Sequence, residues 1–207
     1  MSMDNNCKGR RVVVTGMGTI NPIGKTLNEF WSNLLNGKSG ISRIDCFDTE
    51  KIDSKIAGQV RDFAPQDLIN FKDLKRMDRF TQFAVIASIN ALKDSGLEIN
   101  ENNNKDAGVF IGSGVGGLAT IEEQHKKLLE KGADRVSPFL IPMMICNMAA
   151  AQVSIFSGAK GPVNTTTTAC AAGSNAIGDA FELIKRGAAD IMIAGGSEAA
   201  ITPLGMA

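Results

Sequence analysis

Short apolar runs that close on glycine and lead into helix-forming sequence recur along this chain, and they restrict its fold more than any other feature. Arg11 to Thr15 is an apolar β-branched run ended by Gly16-Met17-Gly18, Val109 to Ile111 leads into the glycine-rich Gly112 to Gly117, and Ile191 to Ala194 leads into Gly195-Gly196. Runs this short and apolar on both faces fit a parallel sheet covered by helices. Thr26 followed by Glu29 is a capping box, and the helix it opens carries Leu27, Phe30, Trp31, Leu34 and Leu35 before Gly37 stops it. A second helix spans about Met77 to Ser95, with Phe80, Phe83, Ala84, Ala87 and Ala91 on one face and Gly96 as its stop. Residues 38 to 76 between them are mixed, with a short strand near Ile56 to Val60, and belong at the periphery. Further on, Leu118 to Lys131 reads as a polar amphipathic helix. Met143 to Ser157 is a helix apolar nearly all round, which implies burial in a core or a subunit interface. Val163 to Thr168 is a β-branched strand, and Ala171 to Lys185 a helix ended by Gly187. The resulting order is an α/β layered pattern with no internal linker and no repeat.

Composition narrows the partners. The 207 residues include 22 basic and 22 acidic side chains, so no basic excess is available to neutralise phosphates, and neither nucleic acid nor a membrane surface is an expected partner. The most apolar stretch, Phe139 to Phe156, is interrupted by Pro142, Asn147, Gln152 and Ser154, which opposes a spanning helix. Val12 to Val14 is too short for a signal-peptide core, so the expected location is the cytoplasm. Cys7, Cys46, Cys146 and Cys170 are widely spaced and His125 is the only histidine, which leaves no metal site and implies free thiols.

One of these cysteines stands at a place suited to chemistry. In Thr165-Thr166-Thr167-Thr168-Ala169-Cys170-Ala171-Ala172-Gly173, Cys170 lies where a strand gives way to a helix, and the unpaired N–H groups of the helix start favour negative charge. Small flanking residues would let a substrate reach the sulfur and those N–H groups together, as acyl transfer through a thioester requires. An inert buried thiol is the competing reading. Cys146, among Met143, Met144, Ile145 and Met148, reads as core, and Cys7 and Cys46 carry no assignment. Gly112-Ser113-Gly114-Val115-Gly116-Gly117 formally matches a dinucleotide-binding fingerprint. The strand that should follow is opposed by Pro138 and Pro142, so a tight turn is the better reading. Gly195-Gly196-Ser197-Glu198 has the same ambiguity. His125, within Glu122 to Lys127, reads as a solvated residue, and the sequence offers Cys170 no evident general base.

Several motifs occur here in one order: Arg11-Val-Val-Val-Thr-Gly-Met-Gly, Ser39-Gly-Ile-Ser, Ile111-Gly-Ser-Gly-Val-Gly-Gly, Ser137-Pro-Phe, Gly161-Pro, Thr168-Ala-Cys-Ala-Ala-Gly, Gly187-Ala-Ala-Asp and Ala194-Gly-Gly-Ser-Glu through Thr202-Pro-Leu-Gly. In this the chain resembles β-ketoacyl-acyl-carrier-protein synthases, most of all the bacterial synthase II branch. The resemblance implies a thiolase-like layered α/β fold, with a mostly parallel mixed sheet covered by helices. Residues 10 to 207 would be its N-terminal half-domain and residues 1 to 9 a tail. It also implies a decarboxylative Claisen condensation in fatty-acid elongation: Cys170 takes an acyl chain as a thioester, and the carbanion left when malonyl carrier protein loses carbon dioxide attacks it. Two histidines, a lysine and a gating phenylalanine of the family belong to its second half and have no matching positions here. Val115 matches a position lining the acyl pocket, and Leu140 one near the dimer contact. Lys72, Lys75, Arg76 and Arg135 fall where the family meets its acidic carrier protein. A homodimer is implied and no cofactor. The alternatives are a non-catalytic fragment or carrier-protein-binding scaffold, and a polyketide ketosynthase.

Overall fold

The computed structural model describes residues 10–207. The tail expected for residues 1 to 9, Cys7 included, lies outside the described residues. The Thr26 hydroxyl accepts from the Glu29 backbone N–H at 3.2 Å and opens helix α1 (Leu27–Leu35). Glu29 completes the cap on the N–H of Lys25, one residue earlier than a capping box requires. The peripheral stretch forms an antiparallel pair of its own, β1 (Ile41–Arg43) with β2 (Ile56–Gly58), followed by a one-turn helix α2 (Phe71–Leu74).

Helix α3 (Arg79–Ser95) starts where Asp78 accepts from the Phe80 N–H and ends on Gly96 in the left-handed conformation that glycine adopts freely. It is the core helix, with Phe80, Ala84, Val85 and Ile86 buried. After it come β3 (Ala107–Gly112), α4 (Leu118–Lys131), α5 (Leu140–Met144), α6 (Met148–Ser157), β4 (Val163–Asn164), α7 (Ala172–Lys185), β5 (Ile191–Gly196) and the short α8 (Pro203–Met206). β3 is buried at every residue and lies between β4 and β5, both parallel to it. Alternation along the strands assigns the two faces. Val109, Ile111 and Ile193 pack with α3 and α6, through Val85, Ala149, Ala150 and Val153, while Phe110 and Met192 pack with Ala176 and Leu183 of α7. Helices therefore cover both faces of a parallel sheet, as the apolar runs predict.

Three expectations are corrected. Arg11 to Thr15 joins no ladder, and Val13 and Val14 are exposed, because no strand pairs with the segment among the described residues. Past that run the chain presses on α3 so closely that a Cβ on Gly18 would sit 2.0 Å from the Ala87 carbonyl oxygen. The strand predicted over Val163 to Thr168 keeps its ladder only at Val163 and Asn164, since the chain beyond turns toward the start of α7. The apolar helix is two helices, α5 and α6. The Met144 carbonyl, which an uninterrupted helix would bond to Met148, accepts instead from the N–H of Gly117 at 2.9 Å, and Ile145 is extended. α6 buries Ala149, Ala150 and Val153 on one side and leaves Ile155 exposed on another.

Candidate active site

The carboxyl ends of β3 and β5 and the start of α7 meet at one point, the usual location of sites in parallel α/β sheets. Contact there is close enough to require glycine, since a Cβ on Gly112 would lie 2.2 Å from the Ala172 carbonyl oxygen. The connection into α7 is a single 3-10 turn, Ala169–Ala171, with Cys170 at its centre. Ala169 has φ +50°, a left-handed conformation that costs a non-glycine residue roughly 1–3 kcal/mol. No side chain caps α7, and the N–H of its first residue, Ala172, is taken by the Ala169 carbonyl. The Thr166 hydroxyl donates to the Ala172 carbonyl at 2.7 Å, and the Thr166 carbonyl accepts from Ser113 N–H at 3.1 Å, which ties this elbow to the glycine turn. Cys170 stands at the end of it, and among the described residues its thiol is exposed rather than buried.

The glycine turn after β3 faces the elbow: a Cβ on Gly114 would lie 3.5 Å from Ala169 Cα. Its anion-attracting N–H groups are already occupied. Glu198, just beyond β5, accepts from Gly114 N–H at 2.7 Å and Val115 N–H at 3.0 Å on one oxygen, and from the Ser113 hydroxyl at 3.3 Å on the other. The formal nucleotide fingerprint is thus a turn whose nest of N–H groups holds the protein's own carboxylate. Of the ambiguous Gly195-Gly196-Ser197-Glu198, this contact accounts for Glu198, while Gly196 packs on α7, where a Cβ would sit 2.8 Å from Gly173 Cα. Nothing in the sequence pairs residues 84 positions apart; the only local sign is an acidic residue two positions beyond a strand.

Among the other predicted residues, Val115 is at the exposed tip of this turn, and Leu140 opens α5, the helix the turn bonds through Met144. Lys72, Lys75 and Arg76 lie on and just after α2, all exposed. The Arg76 guanidinium stacks 4.6 Å over Phe139, in the segment that follows Arg135. Arg135 joins Lys127 and Lys131 in lining an open surface depression of about 580 Å3. Cys146 is half-buried in the break between α5 and α6, a correction to its reading as helical core, because the turn at Gly116 inserts there. His125 is exposed on α4. No cluster of metal-ligating side chains occurs among the described residues, and no helix there is long and apolar enough to cross a membrane.

Comparison with known proteins is decisive for the family. Residues 9–207 match the family described as Beta-ketoacyl synthase, N-terminal domain. The chain belongs to the β-ketoacyl synthase family. Among curated relatives, it is 54% identical over 202 residues to 3-oxoacyl-[acyl-carrier-protein] synthase 2 of Synechocystis sp., a match covering 98% of this chain and 49% of that protein. A Beta-ketoacyl synthase from Burkholderia phymatum STM815 superposes with a TM-score of 0.83 at 33% identity, covering 94% of this chain and 48% of that one. A type II polyketide synthase ketosynthase, solved with its acyl-carrier protein and bound to a hexaketide, superposes with a TM-score of 0.81 at 28% identity, covering 95% and 53%. The layered α/β architecture of this β-ketoacyl synthase chain is accordingly the thiolase-like one. The chain spans about half the length of the curated relatives it matches.

Proposed function

We propose that the chain serves a 3-oxoacyl-[acyl-carrier-protein] synthase in fatty-acid elongation, as the N-terminal half-domain that carries its nucleophile. The observation behind this is the position of Cys170, an exposed thiol on a strained elbow at the uncapped start of α7. In the reaction, the Cys170 sulfur attacks the thioester of an acyl carrier protein. Its new C–S bond replaces the bond to the carrier sulfur, which leaves as a thiol. Malonyl carrier protein then loses carbon dioxide, and the electron pair of the broken C–C bond attacks the acyl-cysteine carbonyl. Collapse of that adduct expels the Cys170 thiolate and leaves a 3-oxoacyl carrier protein. Backbone N–H groups at the start of a helix are suited to stabilising the oxyanion of both adducts. Fatty-acid rather than polyketide chemistry is favoured by the higher identity to the Synechocystis synthase, 54%, than to the polyketide ketosynthase, 28%.

Val115 lines the path of the acyl chain in this reading, and Leu140 stands near the contact between two copies. Exposed apolar side chains support a homodimer: Ile155 on α6, Ile177 and Phe181 on α7, and Val163 on the sheet edge. The acidic carrier would dock on Lys72, Lys75, Arg76 and Arg135, a reading supported by the stacking of Arg76 over Phe139 and by the basic depression beside Arg135. The cytoplasm is the expected compartment, consistent with Cys46, Cys146 and Cys170 as free thiols. The reading is tested by forming 3-oxoacyl product from acyl and malonyl carrier proteins with this half joined to the second half, to which the resemblance assigns the histidines. Cys170→Ala should cut the rate by at least about a thousandfold, and condensation that survives the substitution would refute it.

A further inference from the structure

Glu198 takes no part in the chemistry above, yet its contacts converge on the turn beside Cys170. We propose that Glu198 is a positioning residue whose carboxylate fixes the Ser113–Val115 turn against Ala169, and so shapes the seat of an apolar chain attached to Cys170. The proposal rests on the reading of Cys170 as the acyl acceptor.

Both carboxylate oxygens are engaged: Oε2 takes the N–H groups of Gly114 and Val115, and Oε1 takes the Ser113 hydroxyl. That hydroxyl accepts in turn from Gly116 N–H at 3.1 Å, and Ser113 is 2% exposed, so the contact reaches from the surface into the core. Glu198 is itself anchored by its neighbour. Ser197 donates its N–H to the Gly112 carbonyl at 3.0 Å and its hydroxyl to the carbonyl of Phe80, a fully buried residue, at 2.6 Å. The turn therefore lies between a carboxylate held by the core and the residue before the nucleophile: a Cβ on Gly114 would meet Glu198 Oε2 at 3.0 Å and Ala169 Cα at 3.5 Å.

The turn needs such a hold because glycine occupies positions 112, 114, 116 and 117, leaving little in its own sequence to select one backbone conformation. A carboxylate on two adjacent N–H dipoles is a charge-assisted contact and a strong one for a surface loop. Without it, Gly114 and Val115 lose their acceptor, and the exposed Val115 side chain no longer has a fixed position next to the elbow. Small reagents need no such surface to reach Cys170, whereas a long apolar chain does.

The test compares alkylation of Cys170 by iodoacetamide and by N-dodecyl iodoacetamide, followed by intact mass. The expected result is a preference for the long reagent in the wild type. Glu198→Ala should lose that preference by about fivefold, with the iodoacetamide rate unchanged within about twofold. Glu198→Gln, whose amide oxygen still accepts from Gly114 and Val115, should keep most of it. Amide hydrogen exchange at Gly114 and Val115 should quicken in the alanine variant alone. Val115→Ala, which leaves the latch in place, should lower the same preference in a chain whose exchange pattern is otherwise unchanged. Equal ratios in wild type and Glu198→Ala, or no preference in the wild type, would overturn the proposal. Failure of the acyl-transfer reading shows instead as no acyl adduct from a carrier thioester, and leaves the alkylation ratio as it was.

Discussion

A buried carboxylate, Asp78, and a strained alanine, Ala169, make different predictions at the level of single residues. Asp78 is 4% exposed and accepts three hydrogen bonds, from Phe80 N–H at 3.3 Å and from the Thr120 N–H and hydroxyl at 3.1 and 2.6 Å, joining the starts of α3 and α4. Asp78→Ala removes a helix cap and strands a buried donor pair, at a cost of about 2–4 kcal/mol. A lowered urea midpoint at unchanged slope would register it, with Asp78→Asn falling between the alanine variant and wild type. Ala169 gives a second case. At φ +50°, Ala169→Val should destabilise by about 1–3 kcal/mol while Ala169→Gly stays within about 1 kcal/mol of wild type, as thermal unfolding would measure. The place of Cys170 between strand and helix was legible in its small neighbours and in the helix pattern after it. The partner of the glycine turn was not, because a carboxylate distant in sequence satisfies those N–H groups only once β3 and β5 are paired.

Elements were legible in type and less so in extent, for physical reasons that differ case by case. α4 follows its amphipathic pattern at both ends, and α3 ends at its glycine stop. The apolar pattern over Met143 to Ser157 records burial and not continuity: a carbonyl taken by Gly117 breaks the helix without changing one apolar residue. Arg11 to Thr15 has strand composition, yet a strand exists only where a neighbour pairs with it. The contact of β3 with α7 makes the sharpest prediction at this scale. Gly112→Ala would drive a methyl to 2.2 Å from the Ala172 carbonyl, and backbone on both sides cannot yield cheaply. The expected outcome is displacement of the α7 start, seen as a loss of Cys170 acylation greater than the loss of global stability would explain. A variant that acylates normally would show that the elbow is not set by this packing.

At the scale of the whole molecule, net charge is zero and yet Lys127, Lys131 and Arg135 line one depression, so positive charge is concentrated locally without any excess overall. Replacing Lys72, Lys75, Arg76 and Arg135 together by glutamate should raise the KM for carrier-bound substrates about tenfold or more and flatten its salt dependence, with kcat little changed. Steady-state kinetics at several ionic strengths would measure this. Composition shows the balance of charges but not where they gather, which for Lys127, Lys131 and Arg135 depends on how α4 meets the turn that follows it. Whether the Cys170 sulfur accepts the acyl chain is read from intact mass and peptide mapping of the protein after exposure to an acyl carrier-protein thioester. A single acyl increment is expected on the peptide holding Cys170, absent in Cys170→Ala. An increment on Cys46 or Cys146, or one that persists in the variant, would contradict it.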